Sequence, residues 1–177
     1  MSNFPLYFEL GGISVPIEAN IEFDQDYEPL TAETWPPIRM MDGTGVKQVA
    51  WSGKLKTKLT GSGWMQSGLD GLDYSAPMLL KCASPRGISN ASNVITIPAA
   101  RRSDPGFVPV GYAIVDGRRV DSPVSIVGNV ATVTVVASAS GYCVQYFPEI
   151  TVFAQAPVTQ GNMADGDFRW SIEAEEV

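Results

Sequence analysis

Polar and apolar residues alternate with a period of two over much of the chain, the spacing that gives a β-strand one wet and one dry face. Near the N-terminus, Ile13, Val15, Ile17, Ala19, Ile21 and Phe23 alternate with Ser14, Pro16, Glu18, Asn20, Glu22 and Asp24. The pattern predicts a strand over 13–23, with Pro16 marking an edge or a break because it has no N–H to donate. At the other end, Phe168, Trp170, Ile172 and Ala174 alternate with Arg169, Ser171, Glu173 and Glu175, which predicts a closing strand.

Hairpin signals fill the interval. Residues 46–51 and 54–59 read as two strands around Ser52-Gly53, with Leu55, Thr57 and Leu59 on one face and Lys54, Lys56 and Lys58 on the other. Residues 112–115 and 118–120 are joined by Asp116-Gly117, which supplies the positive φ angles of a type I′ turn. Residues 124–127 and 130–137 flank Gly128-Asn129, and 142–147 and 150–153 add two further strands. The stretch 75–83 fits a helix with Pro77 in its first turn, or equally a strand. Segments 31–37 and 60–74 read as long loops, a class that is commonly functional or mobile. With no linker and no solenoid-scale repeat, the expectation is an all-β chain. It is a single β-sandwich or barrel-like domain over 1–177, with long loops or a hairpin, extended termini and little helix.

Composition narrows the chemistry. The 17 Gly and 13 Pro among 177 residues suit a turn-rich β protein. Histidine is absent, which removes Ser-His-Asp and Cys-His nucleophiles and every zinc site that needs imidazole. Cys82 and Cys143 cannot complete a four-cysteine site; they are two buried thiols or one disulfide. Asp24-Gln25-Asp26, Asp70 with Asp73, and Asp165-Gly166-Asp167 lack the loop pattern of a calcium site and read as turn and solvent carboxylates. Gly61-Ser62-Gly63 lacks the Gly-Lys-Ser/Thr of a phosphate loop. No enzyme, cofactor or metal is expected. The uncharged run 122–148 is interrupted by Gly128-Asn129, Ser138, Ser140 and Gln145 and reads as strands, so no membrane span is expected; residues 1–5 (MSNFP) lead into no basic-then-apolar run, so no signal peptide is expected. Asn90-Ala91-Ser92 matches a glycosylation sequon.

Charge is the more informative layer. The net charge of −7 disfavours a general nucleic-acid binder, which needs a basic face. Seven acids and no base lie in 9–33, eleven bases against five acids in 39–119, and six acids with Arg169 alone in 149–176. A fold can interleave these and erase the segregation. Alternatively, an acidic surface of one copy meets a basic hairpin of the next, a heterologous contact that builds rings or stacks. On that reading Lys54, Lys56 and Lys58, flanked by Trp51 and Trp64, face acids such as Glu18, Glu22 and Asp24, or those of the C-terminus. Arg101-Arg102 and Arg118-Arg119 are solvated charge or anion grips.

The stretch 45–64 (GVKQVAWSGKLKTKLTGSGW), the strand pair 142–153 and the closing FRWSIEAEE of 168–176 resemble tail tube proteins of long-tailed, siphovirus-like bacteriophages. The resemblance implies a virion structural protein whose copies form hexameric rings, stacked into a hollow tube through which DNA passes at ejection without specific binding. It also implies contacts with other phage tail proteins and assembly in the bacterial cytoplasm. Related folds serve as tail terminators, head-tail completion proteins and capsid decoration proteins. A different class, a carbohydrate- or receptor-binding β-sandwich, would use Trp35, Trp51 or Trp64 to stack on a sugar.

Overall fold

In the computed structural model, which describes residues 7–33, 36–162 and 164–177, the regular structure is seventeen strands and one 3-10 turn. The chain is all-β; no α-helix occurs among the described residues. Neighbouring strands run antiparallel in both units, Val110–Val115 with Arg118–Ser122 and Ala139–Tyr146, and Val49–Gly63 with Glu22–Glu33 and Asp167–Glu176. Packing gathers the chain into two compact units, Met1–Ser14 with Leu79–Ile150, and Val15–Met78 with Thr151–Val177.

In the first unit a four-stranded sheet runs Arg118–Ser122, Val110–Val115, Ala139–Tyr146, Arg86–Asn90, and a three-stranded sheet runs Val124–Val127, Val130–Val133, Val94–Thr96. Alternation turns Ala113, Tyr142 and Val144 of one sheet and Ile95, Ala131 and Val133 of the other into a shared core. Asp116 (φ 48°) and Gly117 (φ 73°) make the turn that their sequence predicts. The fully buried side chain of Arg102 organises the unit's other end. Its Nη1 donates to the carbonyls of Tyr7 (3.1 Å) and Cys82 (2.9 Å), and its Nε to Asp104 Oδ1 (3.0 Å). The guanidinium stacks 3.2 Å from the Phe107 ring centroid. Cys82 and Cys143 are both buried and are not joined in a disulfide.

The second unit is built on the long strand Val49–Gly63. Glu22–Glu33 pairs along one side of it and Asp167–Glu176 along the other. Val158–Asn162 pairs the far side of Asp167–Glu176, beside residues 152–154. On the dry face Leu55, Thr57, Leu59, Trp170, Ile172 and Ala174 are buried. Trp170 Nε1 donates to the Ala19 carbonyl at 2.9 Å. The indole lies over Gly61, its register partner, where a Cβ would sit 2.5 Å from the ring. A Cβ on Gly63 would meet the Glu18 carbonyl at 2.0 Å.

Several local expectations are corrected. Ser52-Gly53 is no turn: the strand runs straight through it. Leu30 pairs Lys54 and Ala32 pairs Trp51, so Ser52 and Gly53 (φ 89°) oppose Thr31 alone as a β-bulge. The predicted strand 13–23 is broken. Ile13–Ser14 is a short strand, Pro16 caps a 3-10 turn over Ile17–Ala19, and pairing resumes at Glu22. The stretch 75–83 holds the strand Met78–Lys81. The loops are shorter than expected, because pairing reaches Glu33 and Gly63.

Candidate functional site

The wet face of the Val49–Gly63 sheet gathers most of the predicted site residues, and strand register sets its layout. One row runs Glu22, Ser62, Arg169, Gln160; the next runs Asp24, Thr60, Ser171, Val158. Then come Asp26, Lys58, Glu173 and Glu28, Lys56, Glu175. Small hydroxyl side chains in the middle columns leave the face hollow. The upper rows line a cleft of about 550 Å³. Asp26, Glu28, Lys56, Lys58 and Glu173 line a second, of about 280 Å³.

Electrostatically the face is a basic column between two acidic ones. The Lys56 ammonium lies 3.3 Å from Glu175 and 3.4 Å from Glu173, and Lys58 lies 3.8 Å from Glu173. The carboxylates of Glu175 and Glu173 hold Lys56 above the usual lysine range. Lys54 reaches Glu176 at 3.9 Å and donates to the Val177 carbonyl. Ser62 Oγ donates to Glu22 at 3.1 Å. Asp24, Asp26 and Glu28 stand exposed on the edge strand, with no ion pair among the described residues. Over the four rows, six carboxylates face Lys56, Lys58 and Arg169, so the face is net acidic.

The three lysines therefore find C-terminal acids within their own chain. Trp51 and Trp64 are not brought together. Trp51 lies on the ribbon formed where Val49–Gly63 and Glu22–Glu33 continue past the last pairing with Asp167–Glu176, at Lys56. Trp64 follows the strand's other end, 75% exposed, with its N–H on the Glu18 carbonyl at 2.8 Å. Trp35 falls outside the described residues. Sequence reasoning missed the exposed apolar residues that accompany each tryptophan: Ile38, Met40, Met41 and Val49 on the ribbon side, Ile17, Ile21 and Met65 on the other. Nothing in a local pattern marks an apolar residue as uncovered.

Among the described residues, no three His, Cys, Asp or Glu side chains are grouped to hold a metal ion. Nor is any helix long and apolar enough to cross a membrane. No protein-family model matches the chain, and no curated protein or solved structure matches it either.

Proposed function

We propose that this chain is a non-catalytic virion protein, a tail tube subunit whose copies form hexameric rings stacked around a conduit for phage DNA. The observation that carries the reading is the sheet with a net acidic, hollow face and two open sides. Among the described residues nothing pairs the outer edge of Glu22–Glu33 or of Val158–Asn162. Unpaired edges are templates for further strands, so copies can continue the sheet laterally, and closure of that continuation makes a ring. Turned inward, the columns of Glu22, Asp24, Asp26 and Glu28 and of Glu173 and Glu175 repel phosphates. Passing DNA is thereby kept from adhering. The hexameric count and the place in a phage tail rest on the resemblance of 45–64, 142–153 and 168–176 to tail tube proteins.

The test is negative-stain electron microscopy of the purified protein at rising concentration, with light scattering in parallel. Rings or tubes with a central hole are expected. A protein that stays monomeric at every concentration and binds neutral glycans through its exposed tryptophans would replace this reading with the carbohydrate-binding one. Discrete trimers would favour a decoration protein.

A further inference from the structure

The chain holds four Asp-Gly pairs, Asp42-Gly43, Asp70-Gly71, Asp116-Gly117 and Asp165-Gly166, and the fold treats them differently. Such a pair is prone to close into a succinimide, because glycine puts no Cβ in the way of its own nitrogen. Closure needs a backbone N–H free to approach the carboxyl carbon and a peptide plane free to turn. At Asp42 and Asp165 the N–H is engaged: Gly43 N donates to the Met40 carbonyl and Gly166 N to the Asn162 carbonyl, each at 2.9 Å. Both carboxylates are held too, Asp42 by Thr44 N at 2.9 Å and Asp165 by the Asn162 side-chain amide. At Asp116 the peptide plane is clamped. Asp116 (φ 48°) and Gly117 (φ 73°) lie in the left-handed region, and the hairpin closes directly on them, with Val115 paired to Arg118 and Ile114 to Arg119.

Asp70-Gly71 carries neither restraint. No strand lies between Gly63 and Met78, and both residues are exposed. Among the described residues, Gly71 N and the Asp70 carboxylate make no hydrogen bond. The turn that holds them is closed by one long bond, Leu72 N to the Leu69 carbonyl at 3.3 Å, and the space around Gly71 is open. Just before the pair, Leu69 is fully buried and its carbonyl accepts the Tyr74 hydroxyl at 2.8 Å.

We infer that Asp70-Gly71 is a self-modifying site, at which the folded chain converts its aspartate to isoaspartate. Gly71 N attacks Cγ of the un-ionised Asp70 carboxyl. The N–Cγ bond forms, the Cγ–OH bond breaks, and the amide proton leaves with that oxygen as water. Water then adds to the other ring carbonyl, next to Cα, and breaks its bond to the nitrogen. The water released is the water regained, so atoms balance and nothing is oxidised. The main chain now runs through Cβ and Cγ, longer by a methylene, with a free carboxylate on Cα. A turn so lengthened loses the Leu72 bond to Leu69. The exposed isoaspartyl carboxylate is the group that isoaspartyl methyltransferases esterify, which names the partner class for this site. The inference stands apart from the self-assembly reading.

The test ages the full-length protein at neutral pH, folded and in urea. Methyl transfer from labelled S-adenosylmethionine by an isoaspartyl methyltransferase measures total isoaspartate, and peptide mapping with electron-transfer fragmentation locates it. In the folded protein, isoaspartate at Asp70 is expected several-fold above that at Asp42, Asp116 or Asp165. In urea the four rates are expected to converge, because the dipeptide is the same and only local structure separates them. Gly71 is outside the positive-φ set and a Cβ there meets open space, so Gly71→Ala keeps the turn. It is expected to lower the Asp70 signal several-fold and leave the other three unchanged. If that variant melts lower than the parent, the ranking of the four sites in the parent decides alone. Isoaspartate spread evenly over the four pairs of the folded chain, led by another pair, or absent from Asp70 overturns the inference. None of these outcomes depends on whether rings or tubes form.

Discussion

The Glu176 carboxylate accepts the backbone N–H of Leu55 at 3.0 Å. This bond sits one step beyond the last paired residues, Glu175 and Lys56, so a side chain takes over where the backbone ladder ends. It anchors the base of the ribbon at the point where Asp167–Glu176 stops pairing with Val49–Gly63 and only Glu22–Glu33 continues beside it. Glu176→Ala should cost about 1–2 kcal/mol and speed exchange of the Leu55 amide several-fold, with amides near Leu59 little changed. Hydrogen exchange followed by mass spectrometry reads both. Equal protection of Leu55 in the two proteins would remove the anchoring role.

Trp170 and Gly61 form a second interlock. The indole occupies the space a side chain at 61 would need, and its Nε1 satisfies the Ala19 carbonyl. Gly61→Ala should destabilise by about 2–3 kcal/mol through overpacking. Trp170→Phe should cost a similar amount, by opening a void and leaving a buried carbonyl unpaired. Denaturant titration checks both. If the ring and the glycine act as one unit, the double variant falls short of the sum of the singles.

Arg102 is a buried cation whose charge is balanced by Asp104. Asp104→Asn keeps the shape and removes the counter-charge, with a cost of about 3 kcal/mol expected. The hydrogen bond from Arg102 holds the Asp104 carboxyl below its ordinary 3.8. A carboxyl lowered in the folded state stabilises it above that ordinary value and loses the contribution as pH falls through the folded one. Acid unfolding below about pH 4 should thus be shallower in Asp104→Asn than in the parent, as acid titrations followed by tryptophan fluorescence will register.

Lys56 titrates with the opposite sign. Its pKa is raised above 10.5 by Glu175 and Glu173, so its stabilising contribution is intact below that value and fades as pH rises through the folded one. Lys56→Gln should flatten the alkaline limb of the stability curve. Lys56→Glu puts a carboxylate between two others and should lower the melting temperature of the subunit itself. The deficit should narrow in 1 M salt, where screening acts over roughly 3 Å. A Lys56→Glu chain as stable as the parent that only fails to assemble would return the lysines to an inter-subunit role.

Strand content was legible wherever the signal was local. The alternation of 168–175 and the Asp116-Gly117 turn act through neighbouring residues, and both reappear in the fold. A glycine with positive φ suits a turn and a bulge equally. At Ser52-Gly53 the choice fell to Glu22–Glu33, which pairs with both halves of the strand and keeps it continuous. Pro16 was readable as a break, but the 3-10 turn that follows it was not, because period-two spacing survives through residues that never pair.

Charge shows the same division. The sequence by itself determined an all-β chain with acidic ends, a basic middle and no histidine chemistry. Only the tertiary structure decided that Asp167–Glu176 and Glu22–Glu33 flank Val49–Gly63, bringing both acidic ends onto the lysines and leaving surplus carboxylate on one hollow face. It also decided which methionines and tryptophans stay uncovered. Antiparallel pairing joins residues more than a hundred positions apart, and the burial that selects such partners depends on surfaces that exist only once the sheet has formed.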